Sequence, residues 1–246
     1  MVTMRCRGFL PLLLCLIATS AAAQSSFERV LVPVIVSEFD GAHGSHWATE
    51  FWGRIEGPKP AQLPPLNDPD TVMPVGEDFE IPGGVPRNGV PALFIEVPTG
   101  DYRVSLNLRV RDTSRAATDN GTEIPLPREA DFTAAPIQLL NVSSDPRHRI
   151  MLRVYESIAE GMAAGRVRVT VFARGSSLPL ETRQLSLEAC VLRKVCPGYA
   201  ELPITSHAAE ALRVVVEPLE PQRRLWAFIT VTNNETQHVT TVTPRP

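Results

Sequence analysis

The sequence has no long run of basic or acidic residues. Lys and Arg number 24, Asp and Glu number 27, and the two kinds are interspersed along the chain. Surfaces that bind nucleic acid or anionic membranes need clustered Lys and Arg to displace counterions. The charge pattern therefore argues against a nucleic-acid partner and favours an as yet unknown protein, glycan or small-molecule partner.

Catalytic and metal-binding motifs are also missing. The five histidines form no H-E-x-x-H motif, and Ser45 lacks the second glycine of a nucleophile elbow. His43 and His46 are three residues apart, so on a strand they face opposite sides. The sequence thus predicts no metal site, no cofactor and no catalytic residue. Paired acids such as Glu188 and Glu201 leave open a polysaccharide hydrolase, which depends on carboxylate geometry.

The only long apolar run lies near the start of the chain. Arg5 and Arg7 precede an apolar stretch at 9–17, and alanines fill 21–23. The stretch is shorter than the roughly 20 residues that span a bilayer, and the alanines fit an A-x-A cleavage site. We therefore predict a signal peptide at 1–23, cleaved before Gln24, and no membrane insertion afterwards. The mature chain is predicted in the periplasm, at the cell surface or outside the cell.

Cysteine is scarce, because only Cys190 and Cys196 lie beyond the predicted cleavage site. In an oxidising compartment two such thiols pair. The ring that they close is small, so its chain-entropy contribution is about 2 kcal/mol. We predict a Cys190–Cys196 disulfide that stabilises a local loop.

Helical periodicity is almost absent, and strand alternation is nearly everywhere. Alternating or apolar stretches of strand length cover residues 29–36, 47–55, 92–97, 104–110, 136–142, 150–154, 167–171, 212–216, 225–232 and 237–242. Many short strands without amphipathic helices between them are typical of an antiparallel sandwich. The prediction is an all-β fold, an Ig-like or jelly-roll β-sandwich, over 24–246. Two sandwiches that divide near 143–147 are the alternative.

One long segment, residues 57–91, interrupts the strands. It holds nine of the 23 prolines and five glycines. Loops of this length are usually functional or mobile. Acidic residues in the segment lack the spacing of a defined calcium loop, and we interpret them as solvated turn residues.

Four stretches resemble segments of uncharacterised exported bacterial β-sandwich proteins. They are GAHGSHWATEFW at 41–52, NGTEIP at 120–125, IQLLNV at 137–142 and WAFITVTNNET at 226–236. The resemblance implies an Ig-like or jelly-roll sandwich at the cell surface or in secreted material, and it implies no activity. The glycines at 41 and 44 also suit a tight turn, and the asparagines at 233 and 234 suit the end of a strand.

The strand at 47–55 provides the candidate binding residues. Alternation puts Trp47, Phe51 and Ile55 on one face, which we predict to be core, and Glu50, Trp52 and Arg54 on the other. A tryptophan among charged neighbours needs cover or a partner. Either the segment 57–91 folds over Trp52, or Trp52 is a stacking platform for a sugar ring or a protein.

Two functions of different class follow from these observations. The first is a secreted or cell-surface binding or scaffolding module without catalysis, since sandwiches present loops and faces well. The second is a secreted polysaccharide hydrolase that uses two carboxylates. The separation of the acids in the folded chain distinguishes them.

Overall fold

A computed structural model describes residues 27–35, 39–41, 44–64, 72–80, 92–115, 120–158, 163–189, 195–205 and 211–244. Antiparallel strands dominate this part of the chain, and its helical segments are two 3-10 turns, Thr113–Arg115 and Glu129–Asp131. The predicted all-β, antiparallel sandwich-like fold is confirmed. The predicted signal peptide at 1–23 lies outside the described residues.

The N-terminal strands form a ribbon and a sheet. Strand β1 pairs with β5, and the sheet has the order β2-β3-β6-β7, with β4 beside β3. The strands are β1 Phe27–Val32, β2 Phe39–Asp40, β3 His46–Glu56, β4 Asp78–Glu80, β5 Leu93–Pro98, β6 Arg103–Asp112 and β7 Thr122–Ile124.

The C-terminal strands form two sheets that pack face to face. One has the order β11-β10-β14-β8 and the other β12-β13-β9-β15-β16. The strands are β8 Ile137–Val142, β9 His148–Ser157, β10 Arg166–Ala173, β11 Pro179–Ser186, β12 Glu188–Ala189, β13 Gly198–Ile204, β14 Leu212–Pro218, β15 Arg224–Asn233 and β16 Val239–Val242.

Two hydrophobic clusters share one sheet between them. The first runs from Val30 to Phe132 and also takes in Tyr155, Trp226 and Phe228, whereas the second fills the C-terminal sandwich from Ile137 onwards. The change of cluster therefore comes between Phe132 and Ile137. Residues 143–147 connect β8 and β9, and both strands contribute residues to the second cluster.

The shared sheet is β12-β13-β9-β15-β16, and its strand β15 is buried on both faces because one cluster packs against each face and alternate residues point in opposite directions. Leu225, Ala227 and Ile229 enter the second cluster, and Trp226 and Phe228 enter the first. The ring of Tyr155 on β9 stacks at 6.3 Å from that of Phe228. Its hydroxyl, whose pKa burial raises well above the usual range, donates to the Pro33 carbonyl at 2.5 Å. This aromatic group joins the N-terminal strands to the sandwich.

The segment 57–91 is not wholly a loop, contrary to the prediction. Strand β4 pairs with β3, and Ala61 and Met73 form a bridge. A side chain at Gly53 would place its Cβ only 2.3 Å from the Phe79 ring, so the glycine leaves the room that Phe79 fills. This packing holds β4 at the edge of β3. Residues 65–71 and 81–91 lie outside the described residues.

Candidate functional site

The two faces of β3 are arranged as the alternation predicts. Trp47, Phe51 and Ile55 are buried in the core. Trp52 lies on the opposite face of the strand and exposes 42% of its surface to solvent. The structure thus places a large aromatic ring on an outer sheet face, where burial has not removed its apolar area from water.

Hydrogen-bonding side chains surround Trp52 on every side within the sheet. Asn107 of β6 lies opposite Trp52 on one flank, and Glu80 of β4 lies opposite it on the other. Glu50 and Arg54 are two residues away on the same strand and share its face. We call Glu50, Trp52, Arg54, Glu80 and Asn107 the Trp52 face. It combines an apolar ring with carboxylate, amide and guanidinium groups.

Ion pairs hold two charged members of this face, Arg54 and Glu50, in place. Arg54 Nη1 lies 3.1 Å from Asp78 Oδ1, and Arg111 Nη2 lies 2.7 Å from Glu50 Oε1. The hydrogen bond to Asp78 is the main cause that raises the pKa of Arg54, which stays charged. Exposed pairs of this kind add little to stability. Their consequence here is orientation of the groups beside the indole.

The described part of the segment 57–91 does not cover Trp52. Strand β4 extends the sheet sideways, so it lies at the edge of β3 rather than above the ring. An indole with an open face and polar neighbours can stack on the apolar side of a flat ligand while its neighbours bond to the ligand rim. Among the residues that are described, the geometry favours the platform over the cover.

Of the two histidines that the sequence places three residues apart, the structure describes one, and it meets a single carboxylate. His46 Nδ1 contacts Asp40 Oδ1 at 2.5 Å, and His43 lies outside the described residues. Asp78 contacts Arg54. No group of three or more His, Cys, Asp or Glu side chains with metal-site geometry occurs in the described ranges.

The two acids named for a hydrolase lie on neighbouring strands. Glu201 of β13 accepts a hydrogen bond from Arg153 Nε at 2.8 Å. Glu188 lies on β12, opposite Tyr199. Both glutamates are exposed. Glu201 is thus engaged in an ion pair with β9.

Of the two cysteines predicted to form a disulfide, Cys196 lies among the described residues. Cys196 is buried, with 4% of its surface exposed. Cys190 lies outside the described residues. Their pairing stays a prediction.

Two members of the Trp52 face escaped the sequence analysis. Asn107 and Glu80 lie 55 and 28 residues after Trp52 in the chain, and only the register of β3 with β6 and β4 brings them beside it. Alternation indicates which face a residue occupies, but it carries no information on register. No pattern in the sequence singled out either residue.

The chain was compared with family models, curated proteins and solved structures. No family model, no curated protein and no solved structure matches it. In the described part of the chain, no helix is long and apolar enough to cross a membrane. Any functional assignment therefore depends on the geometry of the chain itself.

Proposed function

We propose that this protein is an exported, non-catalytic binding module that docks a glycan on the Trp52 face. The observation that carries the proposal is the exposure of Trp52, at 42%, in the middle of a patterned strand. Solvation of an indole ring forgoes the stabilisation that its burial would give. A ligand that stacks on an aromatic ring needs an exposed ring with ordered polar groups around it, and the Trp52 face has both.

A sugar ring suits this face better than a purely apolar partner. One side of a pyranose carries C–H groups that pack on an indole, and its hydroxyls both donate and accept hydrogen bonds. Glu50 and Glu80 provide acceptors, Arg54 provides donors, and Asn107 provides both. Arg54 and Glu50 are already oriented by Asp78 and Arg111, so binding orders few side chains.

Export and the disulfide belong to the same proposal. A protein that binds extracellular glycan must leave the cytoplasm, and a signal peptide at 1–23 provides the route. Intact mass of the exported protein under non-reducing conditions checks both features at once. We expect a chain that begins at Gln24 and carries two hydrogens fewer than its fully reduced form, from a Cys190–Cys196 bond. Intact Met1 in the exported fraction, or the full reduced mass, contradicts this prediction.

A glycan array with matched variants tests the binding function. We expect the wild-type protein to bind a set of glycans and Trp52→Ala to bind them at least about 30-fold more weakly, as loss of an aromatic hot spot of about 2 kcal/mol requires. Leu180→Ala is the matched control, since Leu180 is also exposed but lies on β11 in a different sheet.

Two results contradict the glycan proposal. If the wild-type protein binds no glycan, a glycan is not its ligand. If Trp52→Ala and wild type bind a glycan with equal affinity, the Trp52 face is not the binding site. Capture of a protein by wild type but not by Trp52→Ala keeps the face and replaces the glycan by a protein ligand.

A further inference from the structure

A cavity of about 230 Å³ lies where the N-terminal sheet meets the shared sheet of the sandwich. Its apolar wall includes Trp47, Val110 and Ile124, all from the core face of the N-terminal sheet. The cavity is therefore on the opposite side of that sheet from the Trp52 face. An inference about it is independent of the proposed glycan site.

The other wall of the cavity is polar because of the residues that β9 and β15 turn towards it. Arg149 and Arg153 lie on the same face of β9 as Tyr155, and Thr230 lies on the same face of β15 as Phe228. At the aromatic end of this face the first cluster packs on the sheet, whereas at the other end arginines and threonines line a gap. Cavities that stay empty are apolar, and polar ones hold solvent or a ligand.

The two arginines differ in how their charge is balanced. Arg153 Nε donates to Glu201 Oε1 at 2.8 Å, and Arg153 Nη1 donates to Thr230 Oγ1 at 2.9 Å. Arg149 Nη2 donates to Gln237 Oε1 at 2.8 Å, and an amide oxygen carries no charge. Within the described residues no carboxylate forms an ion pair with Arg149. The two arginines of the lining, taken together with Glu201 beside Arg153, carry one net positive charge.

Gln237 is itself fixed, and its side chain holds Arg149 in position. It is 1% exposed, and its Nε2 donates to the Asn234 carbonyl at 2.6 Å. Its backbone has a φ of 59°, a region that costs energy for a residue other than glycine. The side-chain amide is therefore fixed between the Asn234 carbonyl and Arg149. A guanidinium held by a fixed neutral partner keeps its charge for an anion.

We propose that this cavity binds a small organic monoanion, a carboxylate with a short hydrocarbon chain. The carboxylate pairs with Arg149, and the chain packs against Trp47, Val110 and Ile124. One charge suffices because Glu201 already balances Arg153. The volume is below the roughly 300–1,000 Å³ of sites for drug-sized molecules, and it suits a chain of a few carbons.

Calorimetric titration of the mature protein with hexanoate, hexan-1-ol and hexylammonium tests the charge and the chain together. We expect saturable binding of hexanoate with one site per chain. Hexan-1-ol should bind at least about tenfold more weakly, since it lacks the charge-assisted hydrogen bond to Arg149, and hexylammonium should not bind.

Two variants and one control locate the site. Arg149→Gln should weaken hexanoate at least about tenfold and leave hexan-1-ol unchanged. Val110→Phe, which fills the apolar wall, should weaken both ligands. Arg168→Gln is the control, because Arg168 pairs with Glu217 on the far sheet. Failure of hexanoate to bind, equal affinities for hexanoate and hexan-1-ol, or an unchanged affinity of Arg149→Gln would overturn the proposal.

Discussion

Replacement of Phe51 by alanine should lower the free energy of unfolding by about 3–5 kcal/mol, whereas Trp52→Ala should lower it by less than about 1 kcal/mol. Phe51 is fully buried in the first hydrophobic cluster, and the truncation leaves a cavity there. Trp52 is the next residue on the same strand, but it faces solvent. Chemical denaturation of both variants at one pH and temperature measures the difference.

This pair of neighbours decides which face of β3 is functional. If Trp52→Ala destabilises as much as Phe51→Ala, the indole belongs to a second core and the platform is wrong. If Phe51→Ala leaves stability unchanged, the assignment of the two faces is wrong. Because both residues are large aromatics on one strand, a difference in β propensity does not explain a contrast of several kcal/mol.

Loss of Arg223 should be comparably damaging, at about 3–5 kcal/mol for Arg223→Met. Glu156 is fully buried, and its Oε1 lies 2.9 Å from Arg223 Nη1. Its other oxygen accepts a hydrogen bond from the Gly165 amide at 2.7 Å. Without the arginine, a carboxylate is left buried without its counter-charge. Thermal or denaturant unfolding measures the loss.

Arg168→Met is the matched control for this prediction. Arg168 Nη1 lies 3.7 Å from Glu217 Oε2, and the two side chains are 47% and 35% exposed, so loss of Arg168 should cost at most about 1 kcal/mol. The double variant Glu156→Gln with Arg223→Met should recover part of the stability, because a neutral amide is less costly to bury than a carboxylate. Equal losses in the two arginine variants would show that the Glu156 pair contributes no more than a surface pair.

Alternation in the sequence was enough to predict the fold class and the faces of the best strands. The segment 47–55 placed Phe51 inside and Trp52 outside, and both assignments are confirmed. The predicted turn before it is also present, since Gly44 has a φ of 74°. These features are local, so a period of two residues and a glycine suffice to encode them.

Features that depend on distant pairing were not predictable. β11 was missed because it contains a proline and several polar residues, and β13 was missed because a glycine and a proline interrupt its apolar residues. The run in β15 was predicted as a strand, but its burial on both faces arises only because a second core packs on the sandwich. The cavity lined by Arg149 lies between the N-terminal sheet and the shared sheet of the sandwich, so no local sequence pattern indicates it.

Quenching of tryptophan fluorescence by iodide tests the central claim, that Trp52 is an exposed docking platform. The chain has three tryptophans, and Trp47 and Trp226 are buried, at 7% and 6% exposure, so iodide should reach Trp52 selectively. We expect a quenchable fraction that disappears in Trp52→Phe and that a saturating concentration of the best array glycan protects from iodide. Quenching of Trp52 that continues unchanged in the presence of a bound glycan would contradict the account.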